Sequence, residues 1–232
     1  LIILGSENLQ SSLQSAGGDF IEFKNSQGYD VEVINYPYVA TNQNELRDYF
    51  QDYLESHPLL EYVLLVGDVT GSYTIPTHII NSYNDADYPL DQTDYPYTFF
   101  SDEEMYDPDF FIGRWSIQDQ NELLAIISRT IGYSRLIHPI TEDSLNTEYL
   151  NNAMLVAGNY SDVPGVAWPV TPVWTSQWLK EKLIDSDYLS ADIDEFYFTS
   201  SDPNEDQTSE ITSAWSNGVG IINYRGWGDA TG

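Results

Sequence analysis

Cysteine is absent from all 232 residues. Its absence excludes a disulfide framework, a thiolate metal site and a thiol nucleophile within this stretch. Positive charge is nearly as scarce: 8 Lys plus Arg stand against 37 Asp plus Glu, a formal net charge of -29. A surface of that sign repels phosphate backbones and anionic membrane surfaces, so nucleic acid is not an expected partner. No apolar run approaches the roughly 18 residues of a membrane span. No Gly-rich phosphate loop follows an apolar run, which disfavours nucleotide-binding versions of an α/β fold, and neither an EF-hand spacing nor a solenoid-period repeat occurs. Of the histidines, His57, His78 and His138, none lies near a strand end of the C-terminal part, so they are read as surface or internally satisfied residues.

What the chain does have is aromatic residues, 14% of the total with 18 Tyr, and enough length for one large α/β domain or two small ones. The acidity suits solubility in salty water or the binding of divalent cations, and composition does not separate the two. The first residues, 1–4, are apolar and stopped by Gly5, as in a buried parallel strand. Leu9, Leu13, Phe20, Ile21 and Phe23 are then spaced as on one helix running to Lys24, and Val31, Val33 and Ile34 form a second strand. Thr41 or Asn42 caps a helix with Leu46, Tyr49, Phe50, Tyr53 and Leu54 inward, ended by Pro58. Residues 61–68 are the most strand-like run and end on Asp68, a carboxylate read equally as a partner for loop amides or as a site residue.

Residues 69–109 are irregular and dense in Asp, Tyr and Pro. So many carboxylates in one loop system repel one another unless neutralised, and a structural calcium ion with six to eight oxygen ligands is the usual remedy. Asp102, Asp107 and Asp109 are its candidate ligands, with a solvated acidic face as the alternative. Another strand at 110–114 carries Arg114, expected to pair with the preceding carboxylates. A helix over 119–136 turns Leu123, Leu124, Ile126, Ile127, Ile131 and Tyr133 toward a core. The polar stretch 139–152 reads as a linker between a βα subdomain at 1–138 and a second one at 153–232.

The second part opens with a buried strand at 153–157. A helix with Trp174, Trp178, Leu179, Leu183 and Ile184 inward, a short strand at 196–198 and a helix with Ile211 and Trp215 inward follow. The apolar run 219–222 then leads as a buried strand into a glycine-bracketed turn bearing Asn223, Tyr224, Trp227 and Asp229. Open α/β sheets keep their chemistry at such strand ends, and Gly226 and Gly228 permit a close backbone approach to a ligand.

Several of these stretches carry a resemblance. "INYRGWG" at 222–228 is similar to the segment N-Y-x-G-H-G of the gingipain family of cysteine peptidases, a caspase-like clan, with Trp227 at the place of the catalytic His. "YVLLVGD" (62–68), "FIGR" (111–114), "ISRTIGY" (127–133) and "FIEFKNSQGYDVEVI" (20–34) resemble the same family in the expected order, over nearly the whole chain. The resemblance implies a caspase-like three-layer α/β sandwich with a mostly parallel sheet and two βα subdomains. It implies peptide-bond hydrolysis of a polypeptide substrate by a Cys nucleophile lying beyond residue 232, in a bacterial protein exported to the surface or medium, with no cofactor required. The chain would then be an incomplete piece, truncated before the nucleophile and inactive alone, with a further C-terminal domain to follow. Gly228 would offer its amide to the oxyanion, and Asn223, Tyr224 and Asp162 would stand in the substrate region. In the family, an acidic residue after the 153–157 strand orients the His and a later Asp sets a basic-residue pocket. Here Asn159 and Tyr160 fill the nearest places and Asp162 fits loosely, so arginine specificity is not implied. An indole cannot exchange protons near neutral pH, so Trp227 cannot act as imidazole does. Two alternatives therefore stand beside the peptidase: a degenerate relative that binds peptides or serves secretion without cutting, and a calcium-dependent surface module.

Overall fold

The computed structural model describes residues 1–15, 18–81, 90–100, 107–138, 140–158, 171–185, 193–198 and 207–226. The chain divides into two compact units, Leu1–Ser144 and Leu145–Gly232.

In the first unit the strands are β1 (Ile2–Leu4), the short antiparallel pair β2 (Gln14–Ser15) and β3 (Gly18–Asp19), β4 (Val33–Asn35), β5 (Tyr62–Val66), the antiparallel pair β6 (His78–Asn81) and β7 (Leu90–Thr93), and β8 (Phe111–Trp115). The helices are α1 (Phe20–Ser26), α2 (Tyr36–Val39), α3 (Gln43–Ser56) and α4 (Gln120–Arg135). Strands β4-β1-β5-β8 make one parallel sheet in that spatial order, with Leu4 opposite Asn35 on one side and Val66 on the other. Alternate residues of these strands feed two cores, which is why the runs are almost wholly apolar. Ile2, Leu4 and Val66 pack with Phe20, Phe23, Leu123 and Ile127 on one face. Ile3, Val63 and Leu65 pack with Leu46, Phe50, Ile75 and Tyr97 on the other. The result is a sheet between two helical layers.

The helices begin where their caps say. Asn42 accepts from the amides of Asn44 and Glu45, and Asp119 from those of Asn121 and Glu122, each satisfying donors that the first turn leaves free. The single helix expected from Leu9 to Lys24 is instead a 3-10 helix, Glu7–Leu13, followed by the β2–β3 hairpin and α1. Gly18 breaks it with a φ of +113°, and Asp19 restarts it by capping the amide of Glu22. Tyr133, expected inward on α4, is exposed, while Leu123, Ile127 and Ile131 hold the buried stripe.

In the second unit β9 (Ala153–Ala157) is buried throughout. It is followed by α5 (Thr171–Asp185), β10 (Ile193–Tyr197), α6 (Thr208–Asn217) and β11 (Ile221–Arg225), with the parallel order β10-β9-β11. α6 packs through Ala214 and Ile211 on Met154 and Val156, and α5 through Val173 on the opposite face at Ala157. Here two expectations fail. Trp174 and Trp178 of α5 and Trp215 of α6 are more than half exposed. The inward positions belong to Val173, Ser176 and Ala214, small residues that let helix and sheet approach closely. The strand expected to be buried, β11, has only β9 beside it among the described residues and exposes Ile222 and Tyr224.

Candidate active site

The stretch expected to bear the second unit's chemistry begins at the carboxyl end of β11. Because β11 runs parallel to β9 with Arg225 opposite Ala157, both strands leave the sheet at the same rim. Gly158 N donates to Arg225 O at 2.9 Å, and a Cβ on Gly158 would come within 3.3 Å of Gly226 Cα. The two exits thus lie close together, and a side chain at Gly158 would need the Gly226 backbone to give by a few tenths of an ångström. The third exit joins them through Phe198 N, which donates to Ala157 O at 3.1 Å. In sequence order these strands lie second-first-third, so the crossovers leave β9 in opposite directions and β9/β11 is the topological switch point, where open α/β sheets bind ligands.

Side chains at this rim divide between two faces. Arg225 Nη1 donates to Thr175 Oγ1 on α5 at 2.8 Å, which ties the last residue of β11 to the helix layer. Asn223, two residues earlier, lies on the same face as Arg225, and Tyr224 lies on the other. The two expected substrate-region residues are therefore adjacent in sequence but separated by the sheet. Tyr224 bends back over the turn: a Cβ on Gly226 would sit 2.6 Å from its hydroxyl oxygen. Tyr197, last in β10, donates to Glu195, and burial first, then that carboxylate, raises its pKa above the usual phenol value. Glu195 also pairs with Lys180 of α5. Trp227, Gly228, Asp229 and Asp162 lie outside the described residues. The Arg225–Thr175 tie went unread in the sequence; the signal was a cation, one of 8 Lys plus Arg, inside the glycine turn.

In the first unit Asp68 accepts from Val69 N at 2.7 Å and from the Gln118 side chain, so a loop amide and a side-chain amide occupy both of its oxygens. Arg114 pairs with Asp94: Nε and Nη2 each reach a carboxylate oxygen at 2.7 Å. Its remaining donors go to the carbonyls of Gly67, Ile75 and Pro76. Asp102 lies outside the described residues, and among the described residues no group of three or more His, Asp or Glu could hold a metal ion. Asp109 is tied through its backbone, its amide donating to Thr98 O at 2.7 Å. His57 stacks on Tyr53 and His138 Nδ1 accepts from the amides of Ile140 and Thr141. His78 packs edge-on to Tyr97, its Nε2 buried without a hydrogen-bond partner among the described residues.

Comparison with known proteins places the fold. All of residues 1–232 match the family model described as Peptidase family C25. The chain belongs to that family of peptidases, and its fold is the mostly parallel, caspase-like α/β sandwich. It is similar to the solved complex of Porphyromonas gingivalis RgpB pro- and mature domains, with 25% identity and a TM-score of 0.73, over 98% of this chain and 48% of that one. It is also similar to the crystal structure of the Arg-specific cysteine proteinase gingipain R (RgpB), with 24% identity and a TM-score of 0.71, over 98% of this chain and 46% of that one. A third solved structure, described only as a protease, shares 16% identity at a TM-score of 0.61, over 98% of this chain and 45% of that one. The chain thus spans about half the length of the solved structures it matches. No curated protein matches it.

Proposed function

We propose that this chain supplies the oxyanion side of a gingipain-like cysteine endopeptidase, in a bacterial protein acting outside the cell or on its surface. What carries the reading is the switch point between β9 and β11, reached by the Asn223-Tyr224-Arg225-Gly226 segment of a family-wide match. In the proposed reaction a Cys thiolate from polypeptide following residue 232 attacks the scissile carbonyl carbon. The Gly228 amide donates to the resulting oxyanion, and an acid protonates the leaving amine as the carbonyl re-forms. Trp227 cannot be that acid, because an indole N–H donates a hydrogen bond without releasing its proton near neutral pH. The acid on this reading is a His of the following segment.

Trp227 favours a second reading, a relative that holds peptides without cutting them, since loss of one member of such a constellation leaves little beyond binding and the oxyanion site. The test is to produce this chain joined to the segment that follows it in its gene and to assay fluorogenic peptides with and without iodoacetamide. Thiol-dependent cleavage by the longer polypeptide and none by the 232-residue chain is the expected result. Peptide binding without cleavage, with Trp227→His conferring turnover, would establish the second reading in its place.

A further inference from the structure

The first unit has its own switch point. In order of sequence its strands lie second-first-third-fourth, so the crossovers part between β1 and β5, as those of the second unit part between β9 and β11. The details coincide: Gly5 follows β1 and its amide donates to Val66 O, last in β5, at 3.0 Å, as the Gly158 amide does to Arg225 O. Above this point the loop after β5 folds back so closely that a Cβ on Gly5 or on Gly67 would collide with the Tyr73 carbonyl oxygen. Asp68 N donating to Tyr73 O and Ile75 N to Asp68 O fix the loop in that position. Two glycines are thus used to seat Tyr73 at the rim.

Beside Tyr73 lies an open surface depression of about 680 Å³, bounded also by Glu7, Asn8, Gln10 and Ser11 of the 3-10 helix, Gln14 of β2 and Gln120 at the start of α4, all of them exposed. Its volume is within the range of small-ligand sites, but its lining is unlike theirs. Five of those side chains are neutral amides or hydroxyls, one is a carboxylate, and none is a cation or an aliphatic group. A phosphate or carboxylate would find no counter-charge there, and a lipid chain no apolar wall. Amides and hydroxyls donate and accept at once, which is the pattern presented by vicinal hydroxyls, and Tyr73 beside them is packed partly against the core. Part of the lining is braced, with the Glu7 carboxylate accepting from Tyr38 and Gln120 Nε2 donating to Asn8 O at 3.0 Å. The side chains of Gln10 and Ser11 make no hydrogen bond among the described residues, which leaves them available.

We propose that this depression binds a neutral sugar unit, apart from any peptidase chemistry of the second unit. The test is a titration of the isotope-labelled 232-residue chain, followed by its backbone amide resonances. The probes are N-acetylglucosamine, methyl α-mannopyranoside and methyl β-galactopyranoside, with glycerol and inorganic phosphate as controls. At least one sugar should shift the amides of residues 8–14, 73 and 120 along a saturating curve. Gln10→Ala, an exposed change that leaves other resonances in place, should weaken that sugar about tenfold, the loss of one or two hydrogen bonds. No saturating shift with any sugar, an equal response to glycerol, or saturation by phosphate at these residues would overturn the proposal. So would a Gln10→Ala chain that binds as the parent does.

Discussion

Replacing Arg114 tests how the first unit holds its rim together. Its five N–H donors are all used: two on Asp94 and three on the carbonyls of Gly67, Ile75 and Pro76, with side-chain exposures of 11% for Arg114 and 19% for Asp94. Among the described residues the Asp94 carboxylate has one other partner, Thr77 Oγ1 at 2.8 Å. Arg114→Met therefore leaves a largely buried carboxylate with one neutral donor among the described residues, and takes the Arg114 donors from the carbonyls of Gly67 and Ile75, while Pro76 O keeps the Tyr97 hydroxyl. Breaking such a pair costs about 3–5 kcal/mol, and the residual exposure of Asp94 places this one near 3. Arg114→Lys keeps the charge but not the fork and should cost less, about 2 kcal/mol. Arg114→Met with Asp94→Leu should recover most of the loss, because the charge left unpaired accounts for most of it. Hydrogen exchange at the β5 amides, measured against denaturant, reads the opening of this unit separately from the other. A loss below about 1 kcal/mol for Arg114→Met, or a double variant no better than the single, would refute the account.

His78 should make the first unit pH-sensitive. Burial first and then Arg47 lower its pKa below 6.5, against a smaller opposing effect of Asp94. The unfolded chain binds that proton more readily, so the stability His78 contributes is present above about pH 6.5 and is lost as pH falls through its folded value. Thermal unfolding at neutral pH and near pH 5 should show a smaller acid-side loss for His78→Gln than for the parent, and identical losses would count against it. Asp119→Ala should cost about 1 kcal/mol by freeing the capped amides of Asn121 and Glu122, read by denaturant titration, while Asp119→Asn costs a few tenths. The proposed calcium site at Asp102, Asp107 and Asp109 predicts that calcium at about 100 times its Kd stabilises the chain by roughly 2.7 kcal/mol and that a chelator reverses the gain. Melting curves that coincide with and without calcium would remove the site.

The strands were readable because each is short and apolar, with β1 and β9 buried throughout and β5 buried at Val63, Leu65 and Val66, so composition alone marks them. The cap of α3, expected at Thr41 or Asn42, was readable because Asn42 acts within three residues. Helix faces were not, where packing distance overrode hydrophobicity. A Trp at the inward position of α5 would hold the helix off β9, whereas Val173 and Ser176 let it lie close, and Trp174 and Trp178 take the outer face. The β6–β7 hairpin was missed because His78 to Asn81 is mostly exposed and mixed, with no alternation that a single edge pair would require. At the site, the apolar run marked β11, but a linear motif carries no record of the face each residue takes. Asn223 and Tyr224 looked like neighbours and lie on opposite faces of the sheet.

The two units answer the same topological problem with the same local solution, although their rims carry different chemistry. In each, the chain starts on a central strand, lays the second on one side and the third on the other, and must leave a crevice where the crossovers part. In each, a glycine directly after the first strand donates to the last carbonyl of the third, so the crevice is floored by backbone rather than by side chains. A floor of that kind dictates no reaction; the residues that rise from the loops do. At β1/β5 those are amides around Tyr73, and at β9/β11 they are the segment ending in Gly226. Substituting Gln10 should therefore alter what is bound at the β1/β5 rim while leaving the fold intact, whereas a side chain at Gly5 should unseat the Tyr73 loop and the depression beside it together.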